Sequence, residues 1–221
     1  VEPLRVFVGY DQRQPVAYHV LCHSIMESAS VPVSITPLIL HQLPIDRNGL
    51  TDFTYSRYLV PWLCDYVGKA VFLDSDMLVL HDIADLFNAA GNDAVSVVPF
   101  MGKFKFERPS VMVFNNDKCE VLTPKFINDV MNPVSDLAWA ESVGSLPMEW
   151  NFLVGYSTPE REKPKLLHFT QGIPLYKECR ECYGADEWFS DFQDMQDCCS
   201  WLEIMGGSVH MQPVLNRLGF K

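Results

Sequence analysis

Two aspartates one residue apart, Asp74 and Asp76, close the apolar run Lys69-Ala70-Val71-Phe72-Leu73, and a second apolar run, Met77-Leu78-Val79-Leu80, follows at once. In an extended segment side chains alternate faces, so Asp74 and Asp76 project to one side while Ser75 points to the other. Two carboxylates that converge at the end of a buried strand suit a hard divalent cation with oxygen ligands, Mg²⁺ or Mn²⁺, of the kind that itself holds a phosphate. Ligands of open α/β sheets sit at that end of a strand. A motif this short also arises by chance, so its surroundings must decide.

The 221 residues carry a net charge of −11 and 48% hydrophobic residues, enough for one core and one domain, with about 177–221 as a helical appendage. Such acidity excludes nucleic acid as a partner, because phosphate backbones need clustered Lys and Arg. It also means that a diphosphate ligand would have to be neutralised by a few placed cations or by a metal, which gives the aspartate pair a purpose. No window reaches the 18 or so apolar residues of a membrane span, and no charged-then-apolar signal pattern opens the chain. Seven cysteines, an odd number in a chain that needs no disulfide framework, fit a reducing, cytoplasmic setting. Cys179-x-x-Cys182 with Cys198-Cys199 is a poor zinc site, since adjacent cysteines chelate badly, and buried or tolerated thiols are the better reading.

The elements that must position the aspartates are readable from periodicity. Leu4 to Val8 alternates and stops at Gly9, a first strand with its turn; Pro15 opens a helix through Ser28 with Val16, Val20, Leu21 and Ile25 at helical spacing. Val31 to Leu40 reads as a second strand, and Pro37 marks it as an edge. Leu59, Trp62, Leu63, Tyr66 and Val67 share one face of a further helix, kinked or started late by Pro61. After the aspartate strand come a short helix near Asp82 to Ala89 and strands at Ala94 to Val98 and Val111 to Phe114. A helix follows from Lys118 to about Met131, then irregular chain up to Leu166-Leu167-His168-Phe169. Asp186 to Met205, with Trp188, Phe189, Phe192, Met195 and Trp201, predicts a helix packed by its apolar stripe. Strands alternating with helices indicate an α/β fold with a mostly parallel sheet covered on both faces.

With these elements in place, Thr54-Tyr55-Ser56-Arg57-Tyr58, the Asp74-Ser75-Asp76 strand and His168-Phe169-Thr170-Gln171-Gly172 resemble, in order and spacing, the motifs of glycosyltransferase family eight. The resemblance covers most of residues 4 to 176. It implies a GT-A fold, a nucleotide-binding sheet with the D-x-D at a strand end, and a retaining transfer from a UDP-sugar to an acceptor hydroxyl, on a carbohydrate or another molecule. It implies a metal held by Asp74, Asp76 and His168, and imidazole beside two carboxylates tilts the choice toward Mn²⁺ over Mg²⁺. Arg57 would reach the donor phosphates and sugar, Asp11 the uracil edge in a loop shaped by Gly9 and Tyr10, and Glu149 and Asn151 the sugar pocket. Ser75 and Gly172 complete the donor-binding motifs.

The chain departs from that family in two places. The family's lysine shortly after the late glycine is replaced by Ile173-Pro174-Leu175-Tyr176, with Lys177 displaced, so the diphosphate must rely on Arg57 or on Lys103, Lys105 or Arg108. Arg108-Pro109-Ser110 stands where relatives have an Asn-Ala-Gly turn, and Asn115 and Asn116 either line the pocket or make a turn. Two other readings compete: a haloacid dehalogenase-type phosphohydrolase, whose nucleophile also lies in D-x-D, and a sugar-nucleotide-binding module without turnover.

Overall fold

The computed structural model describes residues 2–159 and 163–197, together with Gln212 and Asn216. β1 (Leu4–Gly9) and α1 (Pro15–Ser28) occupy the expected segments, with Pro15 in the first helical turn where its missing N–H costs nothing. β2 (Val33–Leu38) is an edge strand that carries Pro37 opposite Val8. Then come α2 (Val60–Leu63), β3 (Lys69–Leu73), β4 (Met77–Val79), α3 (Ile83–Ala89), β5 (Val95–Val97) and β6 (Val111–Asn115). α4 (Pro124–Asn128), β7 (Val143–Ser145), β8 (Phe152–Leu153), β9 (Leu166–His168) and α5 (Ala185–Asp197) follow.

The main sheet has the order β2-β1-β3-β6-β5-β7 and is parallel except for β6, which runs against both of its neighbours. Its strands are apolar on both faces because both are covered. Val6, Val8, Val71, Leu73, Val111 and Val113 pack on one side with Leu21 and Ile25 of α1 and Ile83 and Leu86 of α3. The alternate residues Phe7, Ala70, Phe72, Met112 and Phe114 pack on the other with Tyr58, Leu59 and Leu122. A second, three-stranded sheet has the order β4-β9-β8. α1 is wedged between the two sheets: while Leu21 and Ile25 face the first core, Ala17 and Val20 join Leu78, Phe152, Leu167, Phe169 and Trp188 of α5 in another. A helix buried on two sides is apolar nearly all round at its middle. The ring of His23 on α1 meets Asp191 of α5 at 2.8 Å.

The aspartate motif is the crossing between the sheets. β3 ends at Leu73, the Asp74 amide makes one last bond to the Ser110 carbonyl (3.0 Å), and the chain leaves the main sheet to pair as β4 with β9, Met77 opposite His168. The Lys69–Leu80 run is therefore two strands, not one.

Three expected elements differ. The helix read through Val67 is a 3₁₀ turn, Ser56–Leu59, followed by only four α-helical residues; Asp65 and Tyr66 take positive φ (50° and 57°), reversing the chain into β3 and leaving Val67 exposed. The helix expected over 118–131 shrinks to Pro124–Asn128, where the Thr123 hydroxyl caps the Phe126 amide at 3.1 Å and the backbone before it is already turning. β7 and β8, in the stretch read as irregular, have three and two residues and too little length for a period to show. α5 buries Trp188 and half-buries Phe189, Phe192 and Met195 as expected; Trp201, Met205, Cys198 and Cys199 lie outside the described residues. Among the described residues no helix is long and apolar enough to cross a membrane.

Candidate active site

The crossing puts Asp74 at the end of β3 and Asp76 at the start of β4, and the β4–β9 register sets His168 beside them. One ligand atom from each of the three lies within 4.8 Å of the others. His168 is 2% exposed and Asp74 is buried, while Asp76 is half-buried. Asn151, completely buried just before β8, fixes the histidine: its Nδ2 donates to the Glu107 carbonyl (3.2 Å), so its Oδ1 faces His168 Nδ1 at 2.8 Å and can only accept. The proton is thereby held on Nδ1, and Nε2 turns to Asp76 Oδ1 at 3.5 Å.

Arg57 sits in the 3₁₀ turn below the aspartates, buried over the faces of Phe72 and Phe53 (4.8 and 5.5 Å to the ring centres). Its Nη2 pairs with Asp74 Oδ1 at 2.9 Å, Nη1 donates to the Pro109 carbonyl at 2.7 Å and Nε to the Phe53 carbonyl at 3.1 Å. Even so, burial, with neighbouring Asp76 adding to it, pushes the Asp74 carboxyl up to about 6 against the pull of Arg57 and His168. For His168 burial works against the charged form, but the carboxylates of Asp76, Asp74 and Glu107 outweigh it and raise the imidazole above its ordinary value. Asp74 Oδ1, fully buried, has the Arg57 charge beside it but no well-aligned hydrogen bond. Two crowded carboxylates, an imidazole nitrogen aimed at them and an under-satisfied buried oxygen fit a divalent metal ion.

The triad opens into a cavity of about 710 Å³, lined also by Arg57, Thr54, Lys105, Glu107, Arg108 and Thr170. Glu107 escaped sequence reading, lying inside a basic stretch; it is buried, accepts a hydrogen bond from the Ser110 hydroxyl (3.1 Å) and comes within 3.9 Å of His168 Nδ1. Its one sequence signal is its place beside Arg108-Pro109-Ser110, on the approach to β6.

The remaining expected site residues lie elsewhere. A cavity of about 580 Å³ beyond the ends of β1 and β2 is lined by Tyr10, Gln12, His41 and Asp52 among others, with Tyr10 edge-on to Tyr18 at 5.3 Å. Gly9 leaves no room for a side chain, since a Cβ there would stand 2.4 Å from the Phe53 ring. Asp11 lines neither cavity: its carboxylate is closed off by the guanidinium and backbone amide of Arg13, whose hydrogen bonds hold it below the usual carboxylate range. Glu149 also stays outside, paired at the surface with Lys165 at 2.9 Å. Ser75 is buried between the aspartates, and Gly172, at φ 122°, turns the chain after β9 beside a third cavity of about 280 Å³ that also holds Cys179 and Cys182.

No protein-family model matches the chain. Protein CDI of Arabidopsis thaliana is 32% identical over 229 aligned positions, which cover 87% of each protein. The chain belongs to the Protein CDI family. Among solved structures, the WbbM bifunctional glycosyltransferase superposes with a TM-score of 0.65 at 17% identity, over 97% of this chain and 51% of that one. GlyE, a glycosyltransferase of Streptococcus pneumoniae TIGR4, gives 0.61 at 16% identity, over 89% of this chain and 63% of GlyE. The galactosyltransferase LgtC, solved with donor and acceptor sugar analogues, gives 0.58 at 11% identity over 86% of this chain and 96% of LgtC. The chain thus spans about half of the WbbM chain and under two thirds of GlyE. This member of the Protein CDI family has the GT-A fold of those glycosyltransferases, with its D-x-D at a strand end.

Proposed function

We propose that the chain is a metal-dependent, retaining glycosyltransferase that moves a sugar from a UDP-linked donor to an acceptor hydroxyl on a carbohydrate or another molecule. The observation that carries this reading is the convergence of Asp74, Asp76 and His168 on the wall of a cavity of about 710 Å³ in a GT-A fold. The family-eight motifs support UDP as donor and retention. The presence of imidazole favours Mn²⁺ over Mg²⁺. Free thiols at Cys22, Cys64, Cys119, Cys179 and Cys182 support a cytoplasmic setting. We take the whole chain as one catalytic domain, with the segment from 177 onward as an appendage that includes α5. The haloacid dehalogenase reading needs a different fold from the one observed.

When bound, the divalent ion supplies positive charge where the leaving diphosphate develops negative charge. Asp74 and Asp76 would give carboxylate oxygens and His168 its Nε2, while Arg57 holds Asp74 in place through their ion pair. Asn151 acts through His168. Asn151→Leu, which keeps the volume and removes the acceptor, is expected to weaken Mn²⁺ affinity about tenfold in calorimetry. Equal Mn²⁺ affinity in Asn151→Leu would return Asn151 to a wall of the sugar pocket.

The deciding experiment measures UDP release from a panel of UDP-sugars, with Mn²⁺ and with chelator. Mn²⁺-dependent release supports the proposal, binding without release makes the chain a sugar-nucleotide-binding module, and neither binding nor release overturns it.

A further inference from the structure

The charges lining the main cavity leave a specific shortage. Two aspartates match the charge of one divalent ion, so the diphosphate of a donor still needs cations of its own. Arg57 is largely committed: Nε, Nη1 and Nη2 are engaged with Phe53, Pro109 and Asp74, and the side chain lies buried between aromatic rings. The lysine that the family places after its late glycine is missing from this chain.

The cations that remain lie on the Gly102–Ser110 segment, which is wound as 3₁₀ turns. With three residues per turn, side chains at i and i+3 stand one above the other, so Lys105 and Arg108 share a face. Both residues line the cavity, and neither makes an ion pair with any described residue. Arg108 Nε is buried without a hydrogen-bond acceptor, a donor that costs stability unless a ligand oxygen meets it. Lys103, on a different face, lies over the rings of Phe104 and Tyr156 at 4.9 and 5.8 Å.

We infer that Lys105 and Arg108, one 3₁₀ turn apart, form the clamp for the diphosphate of the donor, taking the place of the absent late lysine. The inference rests on the proposed nucleotide-sugar donor. A planar guanidinium can meet two phosphate oxygens at once while the lysine adds a flexible point charge, so Arg108 carries the geometry and Lys105 the field.

The test uses Mn²⁺-loaded protein and inorganic pyrophosphate as the probe, followed by calorimetry, with Mn²⁺ affinity measured separately on each variant. Arg108→Gln should weaken pyrophosphate binding about tenfold and Lys105→Gln about threefold, with Mn²⁺ affinity unchanged, the double variant lowest, and a shallower salt dependence in each. Lys103→Gln, outside the cavity, should match the parent. Pyrophosphate binding unchanged in the double variant overturns the clamp, as does normal UDP-sugar turnover by it, and in both cases the glycosyltransferase reading stands. Pyrophosphate binding that depends on Arg108, in a protein that neither binds nor turns over any UDP-sugar, keeps the clamp and overturns the donor. A parent that binds no pyrophosphate overturns the clamp outright.

Discussion

Asp76→Asn should abolish Mn²⁺-dependent release of UDP from a UDP-sugar, with kcat/KM falling by at least about 10³, equivalent to about 4 kcal/mol of transition-state stabilisation. The substitution removes a charge and almost no volume, at the carboxylate of the pair that is half-buried and forms no ion pair with Arg57. The fold should therefore survive, with an unchanged circular dichroism spectrum and a Tm within a few degrees of the parent. Calorimetry should show the cause directly, as a loss of Mn²⁺ binding. Full Mn²⁺-dependent turnover in a folded Asp76→Asn protein would remove Asp76 from the metal site. Asp74→Asn is a less clean probe, because it also leaves the buried Arg57 guanidinium without its partner.

Arg57→Lys, although it keeps the charge, should lower kcat/KM about thirtyfold, corresponding to about 2 kcal/mol, and lower stability as well. One ammonium cannot reach Asp74 and the Phe53 and Pro109 carbonyls together, and each buried group left unpaired costs about 1–3 kcal/mol. For a chain of this length a loss of about 2–4 kcal/mol lowers Tm by roughly 5–15 °C. Mn²⁺ affinity separates the two roles open to Arg57. If the guanidinium acts by holding Asp74, Mn²⁺ binds more weakly in Arg57→Lys; if it clamps phosphate, Mn²⁺ affinity holds and only nucleotide affinity falls. Normal activity and stability in Arg57→Lys would refute both.

Much of the site was legible in the sequence because its motifs sit where strong periodicity ends. β1 was readable to within one residue and α1 to the residue, since a short alternating run stops at a glycine and a proline opens a clear helical pattern. Asp74, Asp76 and His168 could be grouped only through the resemblance to a family, for nothing local in residues 74 and 168 says that β4 and β9 pair. The helix expected through Val67 failed because positive φ at Asp65 and Tyr66 has no signature in residues that ordinarily avoid it. Asn151 was expected at the sugar pocket, but its hold on His168 was hidden, as was Glu107, for a related reason: the bond between them joins residues 44 apart, and what it orients is a third side chain. Asp11 lies after β1 as expected, and its carboxylate is paired with Arg13, two residues on.

The place where the chain changes sheets has a mechanical consequence. Asp74 follows the last residue of β3 in the large sheet, while Asp76 precedes β4 and His168 ends β9 in the small one, so a metal ion held by all three would be a rivet across a seam. Sliding of one sheet past the other would alter the distances around such an ion, and its binding would resist that sliding. Tightness of metal binding and stiffness of the seam are then one quantity measured from two sides. A mutation far out in either sheet that lets the seam slip will loosen the ion without touching it.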